Sequence, residues 1–169
     1  MLKKTLKILH TLGSIGLTGA VAAHLVLLGM APGPEAIQEH AVVRGAIAEI
    51  SGWLLLPSLA AVLLSGLLSM ALYRPFREAG WVWLKAILSL SVAGSILIHV
   101  HGTAIRSAEA TQAAADGEIP LDRIPQYVHN EALVLWLILL VCIANVVLGV
   151  WRPRAERLNR PRARRPNGS

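Results

Sequence analysis

Long apolar runs punctuated by short breaker-rich stretches set the pattern of the chain. One run spans Ile8 to Met30 and is closed by Ala31-Pro32-Gly33-Pro34. A second covers about 46–73 and stops at Arg74-Pro75, a third runs 81–101, and a fourth covers 132–151, ended by Arg152-Pro153. Crossing ~30 Å of hydrocarbon at ~1.5 Å per residue takes about 20 apolar residues in a helix. All four runs reach that length. They are too long for barrel strands of ~10 residues and do not alternate, and in lipid only helices or closed barrels satisfy their own backbone groups. The expectation is an all-α bundle of four transmembrane helices in one domain (1–151), followed by a basic tail (152–169).

Between the runs, Glu35 to Glu49 has helical composition with Pro34 at a first-turn position, so it leads into the second crossing. Pro57 is expected to kink that crossing. Thr103 to Ala115 is rich in Ala, Glu and Gln, which predicts that the third helix projects beyond the bilayer until Asp116-Gly117 stops it. Lys3, Lys4 and Lys7 before an apolar run and Ala20-Val21-Ala22 resemble a signal peptide. The run continues through Leu25-Val26-Leu27-Leu28, however, which favours a retained first crossing.

Composition narrows the class further. Of 169 residues, 54% are hydrophobic and 15% charged, against about a quarter charged in an ordinary soluble domain. Too few charges remain to coat a globule. The single cysteine, Cys142, rules out an internal disulfide framework. Lys and Arg gather on the cytoplasmic side of short loops. With the N-terminus placed inside, 13 of the 16 lie on that side, leaving Arg44, Arg106 and Arg123 outside. Both termini are therefore expected in the cytoplasm, with the chain a multi-pass protein of a bacterial inner membrane. The net charge of +6 is then a topology signal rather than a nucleic-acid footprint, and the tail reads as a disordered anchor for anionic headgroups.

Ionisable residues inside a membrane are costly, so each one asks for a reason. His10 and His24 are 14 residues apart on the first crossing, as are Lys85 and His99 on the third. Fourteen steps of ~100° fall 40° short of four turns, so each pair shares a helical face, ~21 Å apart along the axis. Should those faces meet, His24 comes level with His99 and His10 with Lys85. Two neutral imidazoles on facing helices suit the axial positions of haem b, provided each second ring nitrogen has an acceptor. The blander alternative makes His24 and His99 interfacial histidines whose ring tips reach the headgroups. His99 and His101 with His129 and Glu131 form a second constellation, of the kind that binds zinc or copper. A step of ~200° between His99 and His101 weakens it, and His129 and Glu131 equally read as a helix cap. Lys85 reads either as a snorkelling lysine or as a cation for a carboxylated ligand. Arg44 and Glu49 read as a local pair or as solvated charges, and Ser65-Gly66 as a packing surface.

A resemblance adds to this. Lys7-Ile8-Leu9-His10-Thr11-Leu12-Gly13 resembles the opening motif of a broad group of small bacterial membrane proteins, and Gly80-Trp81-Val82-Trp83-Leu84-Lys85 resembles its second signature. In length the chain is most similar to an uncharacterised predicted integral membrane domain. More distantly it resembles HemJ-type protoporphyrinogen oxidases and the membrane part of copper-resistance protein D. The HemJ likeness implies that His10 and Lys85 belong to a haem or tetrapyrrole site. Two functional classes follow: a haem-binding electron-transfer protein working with quinone or a redox partner, or a non-enzymatic subunit or copper- or zinc-handling protein. Either class allows a homo-oligomer.

Overall fold

The computed structural model describes residues 1–72, 80–124 and 128–150, apart from the side chains of Pro34, Trp81, Lys85 and Arg123 and those of residues 128, 129 and 148–150. The expected tail, 152–169, lies outside the described residues. Within them the chain is helical, with no strand. Helix α1 is Leu2–Met30. After a single 3-10 turn, Pro34–Ala36, comes α2, Ile37–Ile50. A π-helical turn, Ser51–Leu55, joins α2 to α3, Leu56–Leu72. The third crossing is built the same way, with α4 at Gly80–Ser95, a π-helical stretch at Ile96–His101, and α5 at Gly102–Ala115. Helix α6 is Val128–Val150.

Four of these helical runs are long and apolar enough to cross a membrane: Leu2–Met30, Ile37–Leu72, Val82–Ala115 and Asn130–Val147. The expected number of crossings is met, but three of the boundaries shift. The first crossing begins six residues earlier than the apolar pattern suggested, because Lys3, Lys4 and Lys7 continue the helix. The second and third run unbroken for 36 and 34 residues. At ~1.5 Å per residue each exceeds 50 Å, well beyond the ~30 Å of hydrocarbon. Their surplus, α2 and α5, pairs at one end of the bundle, where Gln38 Nε2 donates to the Ala115 carbonyl at 2.8 Å. An even number of crossings returns the chain, so the start of α1 and the end of α6 lie at the opposite end. These are called here the hairpin end and the termini end.

Local chemistry explains the helix limits. Helix α5 stops at Ala115 in a Schellman turn: the Gly117 amide donates to Ala114 and the Glu118 amide to Ala113. Gly117 takes φ +78°, a conformation that glycine adopts without a Cβ penalty. Asp116-Gly117 thus ends the helix as the sequence predicts. Pro57 sits just after the first π turn. It has no N–H to give the carbonyl four residues earlier, and a ladder relieved of that bond accommodates the wider turn. The turn from α1 into α2 is closed by His40, whose Nδ1 donates to the Pro32 carbonyl at 2.6 Å.

Helix α1 is the most enclosed crossing. Gly13, Leu17, Ala20, Val21, His24 and Leu28 form its buried stripe at helical spacing, while Ile8, Leu12, Ile15 and Val26 point outward as a lipid-facing surface. The stripe meets Ile47, Leu55, Leu59, Ile96, Val100 and Leu135 in one continuous core. Apolar burial gains little against lipid tails, so close packing of small residues has to hold the helices together. Gly13 shows this. A Cβ there would stand 3.0 Å from the Ser58 carbonyl oxygen and 3.0 Å from Ala61 Cβ. Gly13→Val is therefore expected to push α1 off α3 and cost about 1–3 kcal/mol, readable as a lower unfolding midpoint in detergent.

Candidate functional site

The two ends of α1 carry different polar sites. At the termini end, His10 sits against α3. Its Nδ1 is 3.1 Å from the Val62 carbonyl oxygen and 3.1 Å from Ser65 Oγ. The Ser65 hydroxyl donates to the Ala61 carbonyl at 2.5 Å, which leaves its oxygen to accept. The backbone carbonyl of Val62 requires a donor, so Nδ1 carries a proton. A metal-binding or proton-accepting histidine is commonly held in this way. Gly66 runs beside the ring, and a Cβ there would lie 3.6 Å from His10 Cε1. Ser65-Gly66, read from sequence as a packing surface, instead supports His10.

His10 forms part of the wall of a cavity of about 1010 Å³ between α1, α3 and α4. Lys3, Lys4 and Lys7 line it together with Leu63, Leu67 and Leu90. Val82, Ala86 and Ser89 contribute from α4. Lys85 lies on the same stretch of α4, but its side chain is outside the described residues. The volume is at the upper end of what small-molecule sites enclose.

At the hairpin end, three ionisable residues from three crossings meet inside the bundle. Arg44 Nη1 donates to Glu131 Oε2 at 2.8 Å, and His24 Nε2 donates to Glu131 Oε1 at 2.9 Å. His24, Arg44 and Glu131 are 1%, 2% and 4% exposed. The pair tying α2 to α6 bridges 87 residues of sequence. His24 Nδ1 and Arg44 Nε have no protein partner among the described residues. Close by in the chain, Ser51 Oγ and His101 Nδ1 are 3.1 Å apart and link the two π-helical segments.

The expected meeting of His24 with His99 is not what the bundle shows. His24 turns toward α2 and α6, whereas His99 is exposed on the outer surface of the third crossing. A π turn advances each residue by less than the ~100° of an α-helix, so a register counted on a regular helix does not carry across Ile96–His101. The same face of α1 does turn inward at both levels, at His10 and at His24. Glu131, read as a cap residue, is the shared counterion. Arg44 pairs with it rather than with Glu49, which is exposed. Sequence reasoning missed this cluster. Its signal was the presence of one ionisable residue near the same end of three separate apolar runs. No group of three or more metal-ligating side chains occurs among the described residues, and His129 falls outside them as a side chain.

A family model described as a predicted integral membrane protein (DUF2269) matches residues 4–153. The chain belongs to that family. The match takes in the four crossings but for the first two residues of α1, the His24–Arg44–Glu131 cluster, and the cavity lining from Lys4 onward. No curated protein and no solved structure gives a significant match.

Proposed function

We propose that this DUF2269 protein binds a tetrapyrrole, b-type haem in the first instance, in the cavity at the termini end, with His10 as the axial ligand. The observation that carries the reading is the Val62 carbonyl on His10 Nδ1 at the wall of a cavity large enough for a cofactor. A bond from one ring nitrogen to a backbone carbonyl is the usual way a ligating imidazole is oriented, which supports His10 as a ligand. Bundles commonly place cofactors between facing helices in this manner. The likeness of the Lys7–Gly13 and Gly80–Lys85 motifs to HemJ-type proteins supports the same level of the bundle and adds Lys85 as a second site residue. His24 and His99 drop out of the site, since one is committed to Glu131 and the other faces outward.

Haem held there would supply one-electron redox chemistry, and the protein would then transfer electrons with quinone or a protein partner. The chain itself would orient the imidazole and line the cofactor with apolar side chains. The distribution of Lys and Arg supports a cytoplasmic position for the termini end, and so for the cavity, in a bacterial inner membrane. Protein purified from haem-replete cells is expected to show a Soret band that shifts on reduction with dithionite. His10→Ala is expected to lose it, and His99→Leu to keep it. A colourless wild-type preparation, or an unchanged His10→Ala spectrum, would contradict the reading.

A further inference from the structure

Helices α1 and α3 run antiparallel in a register set by close contacts. Gly16 and Gly13 lie against Ser58 and Ala61, and His10 lies against Val62, Ser65 and Gly66. Carried one turn further toward the termini end, that register sets Leu6 level with Met70. Met70 is four residues beyond Gly66, so it stays within ~40° of the same face of α3, ~6 Å further along the axis. Leu6 and Met70 both line the cavity, as His10 does. Helical side chains lean toward the N-terminus of their own helix. In this antiparallel pair His10 therefore leans toward the termini end and Met70 toward the hairpin end, and the two converge on the turn between them.

The chemistry of the lining then selects Met70. Haem iron takes axial bonds from His, Cys thiolate, Met or Tyr. Among the described residues that line the cavity, those types are His10, Met1 and Met70. Met1 is 110% exposed, at the very start of the chain, whereas Met70 is half-buried. Lysine ammonium groups offer iron no lone pair. We infer that the Met70 thioether supplies the second axial bond to the haem that His10 ligates. The inference rests on the tetrapyrrole reading and deepens it by naming the partner of His10 and the class of redox couple. A histidine–methionine pair gives a higher reduction potential than two imidazoles. In the blander alternative Met70 only fills an irregular gap with a flexible apolar side chain.

The test uses the full-length chain reconstituted with haem in nanodiscs and reads coordination rather than activity. The wild-type ferric complex is expected to be low-spin by electron paramagnetic resonance and to carry the red charge-transfer band of an iron–thioether bond. Met70→Leu keeps the apolar volume and removes only the sulfur donor. It is expected to bind haem still, to lose that band and to turn high-spin. Met70→His should restore the low-spin state with a lower midpoint potential than wild type. The iron–imidazole vibration is strongest with the opposite position empty, so in the wild type it is read after carbon monoxide has displaced Met70 and been photolysed. A high-spin wild type, or a Met70→Leu protein with unchanged spectrum and potential, overturns the inference and leaves His10 ligation standing. Loss of the band in Lys85→Ala but not in Met70→Leu overturns it in favour of Lys85. A wild-type protein that takes up no haem defeats both readings.

Discussion

Glu131→Leu is expected to destabilise the folded bundle by about 3–5 kcal/mol, the cost of leaving a buried charge without its partner. Glu131 accepts from Arg44 and from His24, and all three are almost fully enclosed. Removing the carboxylate strands the Arg44 guanidinium between helices, with the His24 ring N–H unpaired beside it. The account also predicts the rescue. Replacing a buried ion pair by apolar groups of similar size is often neutral or stabilising, so R44L/E131L should recover most of the loss. Unfolding in mixed micelles, read as the midpoint for wild type, both single variants and the double variant, decides the matter. A double variant as unstable as the singles added together would show that Arg44 and Glu131 act independently. The cluster ties α1, α2 and α6 together at the hairpin end, where lipid supplies no hydrophobic drive between helices.

Gly66→Leu is expected to weaken porphyrin binding by at least about a hundredfold, equivalent to about 2.7 kcal/mol, with little loss of stability. Position 66 faces the His10 ring, and a Cβ there makes ordinary contact at 3.6 and 3.7 Å with two ring atoms. Alanine is therefore tolerated. The remaining carbons of leucine have only the imidazole and the cavity to enter, so they take space from the ligand and crowd its axial group. The cavity accepts them without displacing packed core atoms, and the unfolding midpoint should stay near that of wild type. Wild-type affinity in Gly66→Leu would mean that porphyrin binds somewhere else.

The sequence was most informative where a property depends on a run of residues. Four apolar runs correspond to four helices long enough to cross, Asp116-Gly117 to the end of α5, and the composition of 103–115 to its helical continuation. It was least informative where the property depends on which helices touch. Arg44 has Glu49 nearby in sequence and Glu131 far away, and only packing selects the distant one. His99 was misplaced because regular ~100° steps were assumed across a stretch that is π-helical. His10 was legible as a candidate, but its orientation was not, since the Val62 carbonyl that fixes it lies 52 residues away.

The central proposal is that His10 ligates a tetrapyrrole iron, and resonance Raman spectroscopy of the ferrous haem complex tests it most directly. The account predicts an iron–imidazole stretching band in the wild-type protein that disappears in His10→Gly and returns when free imidazole is added. A wild-type spectrum without that band, or a His10→Gly protein that retains it unaided, would contradict the account.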